Sequence, residues 1–147
     1  MMEVSLVPPE LVGGLWPRIF PHLSRAADYT YGRYEPEDIF DAVASGDAHL
    51  WVALDGDDIK GVTITRFWQY PRKNCLDVMF LGGEEWDGWK DIMFDTLQRW
   101  AHDSGCAAIE ASGRVGFARI FKDRGYTPLW QVFEFPVVEA DVGGQNG

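Results

Sequence analysis

Six of the seven residues from Cys75 to Leu81 are apolar, and the seventh, Asp77, is a carboxylate. A run this short and this apolar suits a strand covered on both faces, the spine of a sheet. It leads into a loop, Gly82-Gly83-Glu84-Glu85-Trp86-Asp87-Gly88. Trp89, Ile92, Met93, Leu97, Trp100 and Ala101 then recur at helical spacing until Gly105. Asp87 is the predicted N-cap and Gly105 the predicted left-handed C-cap. Trp89, Ile92, Met93, Leu97 and Trp100 are predicted to face the sheet. Cys106 to Ser112 returns to a strand pattern, and strand, helix and strand in this order close as a right-handed crossover with parallel pairing.

Upstream, residues 8–27 carry Leu11, Leu15, Trp16, Ile19, Phe20 and Leu23 at helical spacing, with Pro17 and Pro21 among them. An interior proline removes a hydrogen bond and crowds the preceding turn, so a kinked or two-piece helix is expected. Residues 36–44 predict a short helix ended by Gly46. His49 to Leu54, the turn Asp55-Gly56-Asp57-Asp58 and Ile59 to Tyr70 read as two antiparallel strands, and Pro71-Arg72-Lys73-Asn74 turns the chain into the Cys75 run. Downstream, Phe117 to Arg124 predicts a short helix stopped by Gly125, and Thr127 to Val138 a last strand. One domain over residues 1–138 with an acidic, Gly-rich tail over 139–147 follows, without repeats or linkers.

Charge narrows the partners. With 23 Asp and Glu against 13 Lys and Arg, the formal charge of -10 repels nucleic-acid backbones and anionic lipid surfaces at long range. No apolar run approaches the length of a bilayer span, and no leader pattern opens the sequence, so a reducing, cytoplasmic compartment is expected, or a virion if the chain is phage-encoded. Cys75 and Cys106 each sit in an apolar run and read as core thiols, with a disulfide open to them only on neighbouring strands. His22, His49 and His102 fit no metal-ligand spacing, and Ser112 lacks the surroundings of a hydrolase nucleophile.

The element order, with Glu3 to Val7 supplying a first strand, resembles the GNAT superfamily of N-acetyltransferases. The most specific match is Phe117-Ala118-Arg119-Ile120-Phe121-Lys122-Asp123-Arg124-Gly125-Tyr126, similar to the family's fourth-helix signature. The resemblance covers residues 3–138 and implies an α/β fold with a mixed, mostly antiparallel sheet flanked by about four helices. It also implies that acetyl-CoA lies where two parallel strands splay, its pyrophosphate on backbone amides at the start of the long helix. Gly82, Gly83, Gly88 and Arg114 are then the cofactor-binding candidates.

The chain departs from that family in two ways. The phosphate loop lacks the family's basic lead and Gly-x-Gly spacing, and Glu84, Glu85 and Asp87 stand where diphosphate would rest. Phe121 holds the place at which the family often has a proton-donating Tyr, and it has no exchangeable proton. Candidate bases remain: Asp77 and Glu110, since a carboxylate in an apolar strand has its pKa raised by desolvation. Trp68, Tyr70, Trp86 and Trp89 are expected to gather around the strand ends as an apolar pocket or protein contact. The stretch Gly113 to Tyr126 is also similar to GNAT-like proteins of tailed phages, including internal virion proteins. That likeness implies a non-catalytic, virion-associated scaffold with a protein partner. The alternative is an active acyl-CoA-dependent N-acyltransferase with a divergent loop.

Overall fold

The computed structural model describes residues 1–113 and 119–139. Five strands form one sheet in chain order: β1 (Met2–Val7), β2 (His49–Asp55), β3 (Asp58–Tyr70), β4 (Lys73–Gly83) and β5 (Ala108–Ala111). The first four pair antiparallel, and β5 lies parallel to β4, as the crossover required. The α/β class and the mostly antiparallel sheet expected from the sequence are present. The apolar run of β4 lies one strand in from the β5 edge, and β3 is the middle strand.

Helices cover both faces. On one, α1 (Val12–Asp28) and α2 (Pro36–Ser45) bring Ile19, Leu23, Ile39 and Val43 onto Leu50, Val52, Val62, Ile64 and Phe80. On the other, α3 (Trp86–Asp103) lays Trp89, Met93, Leu97 and Ala101 on Trp51, Ala53, Leu76 and Val78. Each large aliphatic side chain buried in these two layers contributes roughly 1.5–3 kcal/mol. The buried stripe of α3 follows a strict i, i+4 repeat, which leaves Ile92 exposed rather than against the sheet as expected.

The two-piece first helix takes a different form from the one predicted. A 3-10 turn over Pro9–Leu11 precedes α1, and α1 runs unbroken through Pro17 and Pro21. Both prolines are exposed, as is Gly13. The carbonyls of Gly13 and Pro17, which would have bonded their missing N–H groups, therefore lie on the watered side of the helix. α2 ends as predicted, at Gly46 with φ 87°.

The C-terminal elements depart most from expectation. β5 is only four residues long. The fourth helix is, in its described part, a 3-10 stretch over Arg119–Arg124 with a non-helical Phe121, while Phe117 and Ala118 fall outside the described residues. The strand expected over Thr127 to Val138 is not formed, and residues 125–139 are neither helix nor strand. The alternation that predicts a strand records how these side chains would pack, but a strand also needs a neighbouring edge to pair with. Among the described residues β5 keeps its outer edge open.

Candidate functional site

β4 pairs with β5 only from Cys75 to Val78, and β5 ends at Ala111. β4 itself continues to Gly83, bonded to β3 on its other side. From Met79 onward β4 has no strand partner on that side among the described residues, and a bulge at Met79, opposite the Ile64/Thr65 step, follows the last β4–β5 pair.

Just before this bulge stands a polar group set into the sheet. Asp77, 7% exposed, accepts a 2.8 Å bond at Oδ2 from Arg66 Nε, its cross-strand partner on β3. The Arg66 guanidinium also lies 4.4 Å over the Trp68 ring, so it is clamped from two sides. Burial pushes the Asp77 carboxyl above its ordinary value, and the Arg66 contacts offset this only in part. Beside Asp77, in register on β5, Glu110 accepts a 2.8 Å bond at Oε2 from the Tyr70 hydroxyl. That bond, with some desolvation, drives the Tyr70 phenol up to about 12. The Cys75 thiol is pushed up by burial and then by the same Glu110 carboxylate. Asp77 and Glu110, the two candidate bases, are thus brought together on the face that α1 and α2 cover elsewhere.

The loop at the start of α3 has its own logic. Gly82 has no room for a side chain because a Cβ would meet the backbone carbonyl of His22 on α1. Gly83, at φ 145°, lies against the backbone of Lys60 and Gly61. Packing thus accounts for two of the three candidate glycines, whereas a Cβ on Gly88 would make only ordinary contact with Met2. Glu85, not Asp87, is the residue before α3, and it holds a left-handed φ of 55° that non-glycine residues rarely adopt. No side chain caps the first turn. Lys60 Nζ sits 3.0 Å from Glu85 and 3.6 Å from Glu84, and the Glu85 bond raises the pKa of its ammonium. Asp87 is fully exposed, 3.8 Å from Lys90.

Lys60 is the functional candidate that sequence reasoning missed. Its signal was the Pro71-Arg72 turn, whose β3–β4 register, shifted once at Met79, sets Gly61 opposite Gly83 and therefore Lys60 beside the loop. The expected aromatic group does not assemble. Trp68 and Tyr70 share the Asp77 face at one end of the sheet, with ring centroids 6.3 Å apart. Trp86 and Trp89 stack at 4.8 Å on the α3 face, with Trp89 buried beneath Gly61. Alternation along β3 puts Trp68 and Tyr70 on one face while α3 carries Trp86 and Trp89 on the other, which spacing along the chain could not reveal. Phe121 lies 5.3 Å from Phe94 of α3, and Arg114 falls outside the described residues. Among the described residues no group of three or more His, Cys, Asp or Glu could hold a metal, and no helix is long and apolar enough to cross a membrane.

No protein-family model and no curated protein matches the chain. Solved structures do. A ribosomal-protein-alanine N-acetyltransferase from Brucella melitensis biovar Abortus superposes with a TM-score of 0.71 at 12% identity, over 94% of this chain and 100% of the other. An aminoglycoside acetyltransferase from an uncultured soil metagenomic sample, solved with sisomicin, gives 0.68 at 13% identity over 94% and 96%. A predicted acetyltransferase from Clostridium acetobutylicum, solved with acetyl-CoA, gives 0.66 at 14% identity over 92% and 96%. The chain has the fold of these acetyltransferases, which is the GNAT fold that its element order resembles.

Proposed function

On the premise of that fold, we propose that this chain is an N-acyltransferase that takes its acyl group from acetyl-CoA or a close relative and delivers it to an amine. The observation that carries this reading is the placement of Asp77, a buried carboxyl with a raised pKa, one residue before Val78, where β4 parts from β5. A proton acceptor and an unpaired main-chain edge then stand at one opening.

The residues present fit a CoA thioester. The uncapped first turn of α3 offers backbone amides and the positive end of a helix, and Lys60 offers a cation beside it. Glu84 and Glu85 oppose an anion less than their position in the sequence suggests, because both already lean on Lys60. Acetyl-CoA supplies the activated acyl carbon. Main-chain amides of β4 past Val78 that are not bonded to β3 would polarise its carbonyl oxygen. Asp77 accepts the proton of the attacking amine as the nitrogen–carbon bond forms and the carbon–sulfur bond breaks. The departing thiolate takes its proton from water, since Phe121 has none to give. Between the two carboxylates, Asp77 suits the base. Glu110 already has its Oε2 taken up by the Tyr70 hydroxyl. Its role is to hold the cationic acceptor.

Titration calorimetry with acetyl-CoA, followed by an acetylation assay on a panel of amines, tests this. Binding and turnover, with turnover lost in Asp77→Asn while binding persists, is the expected result. Absence of binding overturns it. A second reading, the non-catalytic protein-binding scaffold, draws on the hydroxyl-free Phe121 and the Glu84–Lys60–Glu85 cluster at the helix start. Binding of neither acetyl-CoA nor CoA by a folded protein would favour it.

A further inference from the structure

Where β1 ends, β2 begins and the last turn of α3 passes, a cleft of about 290 Å³ opens between Leu6, Pro8, Pro9, Ala48, His49 and Trp100. It lies at the opposite end of α3 from Lys60 and the helix start, so it stands apart from the place proposed for acyl-CoA. No Lys, Arg, Asp or Glu lines it among the described residues. Two prolines, an indole and aliphatic side chains make a lining for an uncharged molecule and a costly one for an ion.

His49, the titratable side chain of this lining, is held in one tautomer by the core beside it. Thr65 is fully buried, and its Oγ1 lies 2.9 Å from both Trp51 Nε1 and His49 Nδ1. The indole can only donate, so the hydroxyl accepts from Trp51. Its own hydrogen has no other acceptor among the described residues, and giving it to His49 Nδ1 satisfies all three groups. The imidazole hydrogen is then on Nε2. Burial holds the His49 pKa below its ordinary value, which keeps the ring neutral. Phe67 and Trp100 meet the ring edge to face, with centroids 4.7 and 5.7 Å away, and fix its plane. The Nε2–H is not enclosed and has no acceptor among the described residues. The Trp100 Nε1–H is enclosed and lacks one as well. What this wall is missing is an acceptor.

We propose that this cleft binds an uncharged bicyclic heteroaromatic molecule, seated against Trp100, whose ring nitrogen or carbonyl accepts from His49 Nε2. The size follows from the volume: a dry cavity of about 150 Å³ takes one benzene ring, so this cleft has room for two fused rings. The polarity follows from the wall. An acceptor completes the His49 bond, whereas a cation would meet an N–H with no oxygen beside it. Carboxylates and phosphates are turned away by the formal charge of -10 and find no Lys or Arg in the lining to offset it. Because the imidazole is fixed before the ligand arrives, little ordering is needed to make the bond.

Calorimetry of the full chain with quinoline, at a neutral pH where its nitrogen is unprotonated, tests the proposal. Indole is the control, a molecule of similar size that donates a hydrogen bond but accepts none. Quinoline is expected to bind at millimolar concentration or below, and about fivefold more tightly than indole, the weight of one hydrogen bond. His49→Phe is expected to remove that difference. Leu6→Trp, a change at an exposed residue of the lining, is expected to fill the cleft and abolish the binding of both. It carries the test should His49→Phe fail to fold. Absence of quinoline binding to the wild type overturns the proposal. So does equal affinity for the two ligands, a preference for quinoline that survives in folded His49→Phe, or binding that a folded Leu6→Trp leaves unchanged.

Discussion

Arg66 and Asp77 face each other in register across β3 and β4, Nε to Oδ2 at 2.8 Å, and the guanidinium is one-third exposed while the carboxylate is nearly buried. Desolvation is the stronger influence on Asp77, so its folded pKa lies above the ordinary 3.8. The folded state therefore holds this proton more tightly than the unfolded chain does. Its contribution to stability is full below pH 3.8 and is lost as pH rises through the raised folded value. Urea unfolding of the wild type and Asp77→Asn across this window is expected to show the wild type losing ground to the variant as pH rises. A wild type that gains ground would mean that Arg66 outweighs burial.

Tyr70 reports on Glu110. Its phenol is pushed up to about 12 chiefly because the hydroxyl donates to Glu110. In Glu110→Gln the acceptor loses its charge, and the ultraviolet difference titration is expected to show one tyrosine moving down toward the ordinary value of 10. An unchanged titration would place the hydroxyl elsewhere in solution.

Gly82 is a contact point between α1 and β4. A Cβ there meets the His22 backbone carbonyl, which cannot rotate away as a side chain can. Gly82→Ala is expected to lower stability by about 1–3 kcal/mol or more, the usual range for overpacking. Gly61→Ala meets the Trp89 ring instead and should cost in the same range. Chemical denaturation checks both, and a Gly82→Ala protein as stable as wild type would mean that α1 sits farther from the sheet.

Leu97 is 3% exposed and central to the α3 stripe. Leu97→Ala is expected to cost about 2–5 kcal/mol, as other buried leucine truncations do. A cost below about 1 kcal/mol would make α3 peripheral, against the burial of Met93 and Ala101 on either side of it in the same stripe.

The sheet and its parallel edge were legible because their signals are local and redundant. The apolar run at Cys75, the Asp55-Gly56 turn and the stripe through Trp89, Met93 and Leu97 each name an element and its covered face. The carboxylate pair was legible as residue types, since Asp77 interrupts an apolar run. What could not be read was who meets whom across strands. The Arg66 clamp, the Tyr70 bond and the Lys60 cluster all depend on register, and the Met79 bulge shifts that register by one residue. Trp68 and Trp86 went astray because proximity in sequence does not say which face of the sheet a strand residue takes or which face the next helix covers. The C-terminal strand failed differently: its pattern specifies a strand, yet residues 125–139 are neither helix nor strand although the β5 edge is open among the described residues.

Glu85 joins the backbone strain of the α3 start to its charge. At φ 55° a side chain is disfavoured, and glycine is not. Glu85→Gly should therefore be neutral or stabilising by about 0.5–1 kcal/mol, despite the chain entropy that glycine loses on folding. The same change removes the carboxylate 3.0 Å from Lys60 and leaves Glu84, at 3.6 Å, as the remaining acidic partner of the ammonium. Removing one exposed unit charge about 5 Å from a phosphate is worth on the order of 1 kcal/mol in a watery site, so acetyl-CoA affinity should rise about fivefold. Lys60→Met should lower it. Screening adds a second signature: the gain in Glu85→Gly should shrink at high salt, as a purely conformational effect would not. Calorimetry of the three proteins at two salt concentrations checks this. Equal affinities in folded proteins would place the phosphates away from this helix start. Absence of binding in all three would remove the acyl-CoA reading altogether.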